Sequence, residues 1–266
     1  MPSRTRVRSM PARRRAPGGA AAASQPGNIA YLKTSCSTCM LRELCLPCCG
    51  LSPSELEAAK RLVFNRSHVR RGQSLYRTDD RFTSVYAVRK GFFKFTVLLQ
   101  DGRRDQVTGF SMTGEVLGLD GIATDRHTCN AIALEDSEVC AIPFASLQRM
   151  ALEIPSLQRQ FRKTMSREIV REHGVMLLLG SMNADERLAT FLLSLSQRFA
   201  ANGYSSSTFD MRMTREEIGS YLGLSLETVS RTLSKFQEEG LLSVQQKIVH
   251  ILDSAGLQRV IGRELS

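Results

Sequence analysis

Between residues 68 and 143 the apolar positions fall in short runs: Ser84–Val88, Phe92–Leu98, Gln106–Phe110, Ala131–Ala133 and Glu138–Ile142. Turn signals punctuate them at Gly72, Lys90-Gly91, Asp101-Gly102, Gly114 and Gly118. Many short strands at this spacing predict a compact antiparallel barrel or roll. From Ile154 to about Ser181 the period changes. Phe161, Met165, Ile169, Met176 and Leu179 recur at helical spacing, with Glu172 set in the same stripe. Pro155 stands where a first turn tolerates proline. A helix this long between two domains is expected to pair with its own copy, through Phe161, Met165, Ile169, Glu172 and Met176. Upstream, Leu51 to Leu56 reads as a helix start capped by Ser52 or Ser54, and another helix begins near Met182.

The segment Met213–Leu233 has the grammar of a helix-turn-helix. Thr214 and Glu217 make a capping box, Gly223 ends the first helix in the left-handed conformation a tight turn needs, and Ser225 caps the second. Ile218, Leu222, Leu224, Val229 and Leu233 form one apolar face. Glu227, Ser230 and Arg231 project from the opposite face near the N-terminal end, where a recognition helix meets base edges. Arg231 can donate two bonds to a guanine, Glu227 can accept from a cytosine amine, and Ser230 can meet a base or a phosphate. Gly240–Gln245 and Ile248–Leu252 then predict a short hairpin, the wing of a winged helix. A plain helical hairpin would leave the exposed Glu-x-x-Ser-Arg without a purpose.

Composition sharpens this picture in two places. The net charge is +10, but residues 1–42 carry eight Lys/Arg and no acid, leaving +2 for the rest. The pI is therefore poor evidence of nucleic-acid binding, and the case rests on the motif. Residues 1–33, rich in Arg, Ala, Pro and Gly, read as a disordered basic tail rather than the transit peptide they resemble in composition. The cysteines sit at 36, 39, 45, 48, 49, 129 and 140, five of them within residues 36–49. With no secretory leader and no long apolar stretch, a cytoplasmic chain is expected, without membrane contact. Clustered thiols there argue for metal or redox chemistry. No P-loop, nucleophile–base pairing or His-rich metal motif appears, so no enzyme is expected.

Taken together, Met213–Arg231, the string Asn183–Ala189, the phrase Val139-Cys140-Ala141-Ile142-Pro143-Phe144 and the leading cysteines resemble the CRP/FNR family, and within it the fumarate-and-nitrate-reduction regulators. The resemblance runs from Cys36 to about Asp253. It implies an α+β chain: an N-terminal antiparallel β-roll like a cyclic-nucleotide-binding domain, a long dimerisation helix, and a C-terminal winged helix-turn-helix that binds a palindrome of TTGAT-type half-sites. Glu227, Ser230 and Arg231 match the family's base-reading trio. Members that bind cAMP carry an Arg-Ser/Thr-Ala tripeptide after a Gly-Glu turn. Here Gly114-Glu115 is followed by Arg126-His127-Thr128-Cys129-Asn130-Ala131, so the phosphate-pairing arginine is displaced and no cAMP is expected. The loop Leu99–Asp105, with Asp101, Gly102 and Arg103, is by resemblance a surface for RNA polymerase, though one residue longer than the family form.

The cysteines remain open to several readings. Cys36-x2-Cys39-x5-Cys45 leaves a four-thiolate 4Fe–4S cluster one ligand short. The resemblance supplies it from the phrase before Ile-Pro-Phe, giving Cys36, Cys39, Cys45 and Cys140. Cys39, Cys45 and Cys48 form a competing triplet. A zinc site and metal-free thiol oxidation are alternatives, as is a thiol- or nitric-oxide-responsive regulator on the same scaffold. An iron–sulfur electron carrier would account for the cysteines but not for Glu227–Arg231. Cys129 reads as a small buried spectator. The expected divisions are a tail (1–33), a cysteine loop (34–50), a sensory roll (51–152), a dimerisation helix (153–182) and a winged-helix domain (183–266). The implied behaviour is an oxygen-responsive activator of anaerobic genes: cluster assembly favours the dimer, and like-charged Glu172 copies in the seam keep the bare dimer weak.

Overall fold

The computed structural model describes residues 31–34, 52, 54–55, 64–99 and 105–262. Two antiparallel sheets form the roll. One has five strands in the order β1 (Tyr31–Thr34), β2 (Phe64–Val69), β9 (Ser137–Pro143), β4 (Ser84–Lys90) and β7 (Val116–Leu117). The other has four: β3 (Ser74–Tyr76), β8 (Asn130–Ala133), β5 (Phe92–Leu98) and β6 (Asp105–Met112). The five runs read from sequence are all strands, one matched to the residue and four extended by one to three residues. β3 and β7, of three and two residues, are too short to show a period. Tyr31–Thr34 straddles the boundary drawn at residue 33 and pairs with β2.

Alternation decides which side chains the roll encloses. Val69, Val88, Phe93, Leu117 and Val139 fill its interior. On the opposite face Val85, Ala87, Cys140 and Ile142 lie under Leu147 and Met150 of helix α1 (Phe144–Glu153) and Leu157 of helix α2 (Pro155–Ser181). The turn between β4 and β5 requires Gly91: its φ is +113°, and a Cβ there would stand 2.0 Å from the Ser137 hydroxyl oxygen.

Helix α2 has 27 residues with Pro155 at its first turn. Ser156, Leu157 and Leu178 are its buried residues. After it come α3 (Ala184–Ala201), β10 (Thr208–Asp210), α4 (Arg215–Leu222), α5 (Leu226–Glu238), the hairpin β11 (Leu242–Gln245) and β12 (Ile248–Ile251), and α6 (Ser254–Ile261). Asn183 and Glu186 close a reciprocal capping box on α3. The core of this C-terminal part, built on Leu188, Leu192, Ile218, Leu222, Leu233 and Phe236, is continuous with Phe92, Val107, Phe110 and Met112 of the roll. No described helix is long and apolar enough to cross a membrane.

Candidate nucleic-acid interface and sensory site

The candidate DNA-reading surface is assembled by local caps. The Thr214 hydroxyl accepts from Glu217 N–H at 3.1 Å while the Glu217 carboxylate accepts from Thr214 N–H at 2.7 Å. Gly223 takes φ +64° and turns the chain into α5, whose first turn is capped by the Ser225 hydroxyl accepting from Thr228 N–H at 3.1 Å. Val229, Leu233 and Phe236 bury one face of α5. The opposite face presents Glu227 and Arg231, both exposed, with Ser230 half-buried beside them. Glu227's own backbone N–H and the Ser225 hydroxyl hold its carboxyl below the usual range, so it stays an acceptor. Arg215, absent from the sequence reading, donates to the Ser230 hydroxyl at 3.2 Å. A cation in the first turn of a helix opposes the helix dipole, and that was the signal available for it. β11 and β12 form the expected wing, turning through Gln246 at φ +57°.

At the other end, Cys140 is central in β9 and only 4% exposed. Its register partners are Arg66 on β2 and Ala87 on β4. Cys36, Cys39, Cys45, Cys48 and Cys49 lie outside the described residues, as do Asp101, Gly102 and Arg103. β1 ends at Thr34, two residues before Cys36, in the same sheet as Cys140 with β2 between them. Among the described residues no group of three or more His, Cys, Asp or Glu could hold a metal. Cys140 nevertheless suits the distant ligand of a thiolate-held cluster. It sits on a strand paired on both sides, and Arg66 beside it keeps a buried Nε without a hydrogen bond, misaligned on Glu138 Oε1 at 3.4 Å. Arg66 is thus paired to the Glu138 carboxylate, with one N–H left free of a hydrogen bond, at the strand position across from Cys140.

Cys129 is differently placed. Its thiol donates to Asp120 Oδ2 at 3.6 Å, and burial together with that carboxylate pushes it up to about 12. It stays protonated at neutral pH and is a poor ligand and a poor nucleophile, in keeping with the spectator role.

A cavity of about 470 Å³ separates the roll from α2. Its walls include Tyr76, Val97, Leu119 and Met165, with Asp120, Glu168 and Glu172 as its charged residues. Burial raises Glu168. Arg126 turns away, donating to the Asp79 carbonyl at 2.6 Å. Glu115, of the Gly-Glu turn, is engaged by the Arg198 guanidinium at 2.8 and 2.7 Å.

Of the expected seam on α2, Phe161 and Met165 are half-buried, Phe161 against Phe144. Glu172 is exposed, and Ile169 and Met176 are 55% and 65% exposed. Val170 and Leu177, missed in the stripe because they sit one position on, are exposed as well.

Two domain families match the chain: the cyclic nucleotide-binding domain over residues 66–153 and the Crp-like helix-turn-helix domain over residues 186–260. The transcriptional regulatory protein btr of Bordetella pertussis is 49% identical over 86% of this chain and 94% of its own length. The transcriptional activator protein Anr of Pseudomonas protegens is 44% identical over 90% and 98%. The fumarate and nitrate reduction regulatory protein of Salmonella typhimurium is 39% identical over 85% and 90%. Among solved structures, FixK2 from Bradyrhizobium japonicum superposes with a TM-score of 0.69 at 32% identity, over 75% of this chain and 98% of that one. With a β-roll, a winged helix and this degree of identity along most of its length, the chain belongs to the CRP/FNR family of DNA-binding transcription regulators.

Proposed function

We propose that this regulator senses oxygen through a 4Fe–4S cluster held by Cys36, Cys39, Cys45 and Cys140, and that the cluster favours a homodimer able to read a palindromic, TTGAT-type site. The observation that carries the reading is the place of Cys140: a buried sulfur on a strand paired on both sides, in the sheet whose outer strand ends two residues before Cys36. Relatives named for fumarate and nitrate reduction support it. When bound, the cluster supplies an oxygen-labile link between the cysteine segment and the roll.

The rest is the work of the chain. Cys140 anchors one end of that link to β9, which is packed under α1 and α2, so strain at the sulfur reaches the start of the long helix. The exposed Ile169, Val170, Met176 and Leu177 on α2 are apolar surface that a second copy would cover. Glu172 lies within that surface and opposes pairing through like charge. In the dimer, Arg231, Ser230 and Glu227 of each copy read one half-site; a monomer reads only one and loses most of its specificity. The cavity beside α2, walled by carboxylates and without a lining cation among the described residues, does not favour a nucleotide phosphate, and cAMP control is not proposed. The loop with Asp101, Gly102 and Arg103 is proposed as a contact for RNA polymerase, and the protein as a cytoplasmic activator.

Anaerobic purification followed by visible absorption, iron and sulfide assay tests the reading. A brown protein with four iron and four sulfide per chain, bleaching in air, is expected. A colourless zinc protein, or a metal-free one whose DNA binding follows thiol oxidation, would overturn it.

A further inference from the structure

Glu115 stands where three parts of the molecule meet. Its carboxylate accepts from Met112 N–H at 3.0 Å within the roll, faces Arg171 of α2 at 3.6 Å, and takes the Arg198 fork of α3 on both oxygens. Arg198 in turn donates to the Phe110 carbonyl at 2.7 Å. Both side chains of the pair are largely buried, 21% and 19% exposed. Burial alone would raise the Glu115 carboxyl, but the two guanidiniums outweigh it and keep it ionised.

Two further bridges lie along the same seam. Lys94 of β5 meets Glu217 of α4 at 2.7 Å. Gln106 donates to the Ser220 carbonyl, and Val107 N–H donates to the Ser220 hydroxyl at 2.9 Å. Phe110 and Tyr221 stack edge to face beneath them. A void of about 210 Å³ remains beside the pair, lined by Arg171, Leu178, Phe191 and Tyr221 among others. The orientation is thus fixed by discrete polar contacts across an incompletely filled seam, rather than by close packing alone.

We infer that Glu115, with Arg198 and seconded by Lys94–Glu217, is a positioning residue for DNA reading: it fixes the angle of the winged helix on the roll and so the distance between the two recognition helices of a dimer. This inference rests on the dimeric reading proposed above. It also gives the Gly-Glu turn a role here without a nucleotide, as a strut between sensor and reader.

The distance between half-sites is the readout. Adding or removing one base pair of spacer moves a half-site by about 3.4 Å and turns it by about 35°, which rigidly held helices cannot follow. The anaerobically prepared full-length protein should therefore lose about tenfold in affinity on either altered spacer. Glu115→Gln keeps the shape and removes the charge. It should bind the best spacer a few-fold more weakly and shrink the spacer preference to about threefold or less. Lys94→Met, which breaks a single bridge and leaves the Arg198 fork in place, should shift the preference the same way by a smaller factor and guards against a variant that fails to fold. Equal weakening on all spacers, or a preference that stays at about tenfold in both variants, overturns the positioning role while leaving the dimer intact. A wild-type protein that sediments as a monomer on DNA and ignores the spacer overturns the dimeric reading and this inference with it.

Discussion

The two working ends of the molecule are built in opposite ways. The DNA-reading surface is made by neighbours in sequence: Thr214 with Glu217, Gly223, then Ser225 with Thr228 place Glu227, Ser230 and Arg231 within one short stretch. The proposed sensing end is made by strands that meet from far along the chain, so that Cys140 acquires Arg66 and Ala87 as register partners across three strands. Local caps tolerate change elsewhere in the protein. A register does not, because every side chain along a strand depends on its pairing. The reader can therefore vary its base contacts independently, whereas the sensor is bound to the geometry of the whole roll.

Calorimetry is the harshest way to break this division. Phe236, fully buried in the winged helix, and Phe93, fully buried in the roll, should each cost about 3–5 kcal/mol on truncation to alanine. Because Phe92, Val107, Phe110 and Met112 of the roll share a core with the winged helix, either variant should lower a single common transition at neutral pH. Glu115 and Glu217 are both held below the ordinary carboxylate range, so their stabilisation is full above it and lost as pH falls through their lowered values. In acid the common transition should split in two; two transitions already present at pH 7 would contradict the shared core.

Arg231→Ala sharpens the contrast at the reading end. It should cost about 1–3 kcal/mol on the cognate site, by the usual worth of a bidentate guanine contact. Equal loss on scrambled DNA would reduce Arg231 to a phosphate contact.

Glu172→Ala addresses the helix between the two ends. Relief of like-charge repulsion should strengthen the dimer about tenfold, near 1.4 kcal/mol, and leave dimers that survive air in sedimentation. A variant that still falls to monomers in oxygen at the wild-type concentration would refute the repulsive role.

The smallest effect concerns Cys129. With its thiol at about 12, alkylation of the folded protein at pH 8 should lag far behind that of an ordinary thiol, and Cys129→Ser should leave the air response unchanged. A slowed or abolished response would return weight to a thiol switch.

The same division explains what was legible in sequence. The helix-turn-helix and its caps were readable to the residue because each signal lies within four positions of its partner, and Glu227, Ser230 and Arg231 lie on the face opposite Val229 and Leu233. The roll was readable as a class, from its glycine-punctuated runs, but β3 and β7 were not, and β10 and α6 gave no independent pattern. The docking of the winged helix on the roll was invisible: Glu115 and Arg198 are 83 positions apart, and nothing in either segment announces the other. Arg215 lies on the helix before the recognition helix and meets Ser230 only across the turn, a contact that no pattern within either helix announces. Val170 and Leu177 fall outside a single helical stripe because the apolar surface of α2 is wider than one stripe.

One substitution tests the central claim most directly: Cys140→Ser, prepared without air, with iron content and occupancy of a palindromic site measured on the same sample. The account predicts that iron falls to a small fraction of the wild-type value and that site-specific occupancy falls with it. Wild-type iron and undiminished occupancy in the serine variant would contradict it.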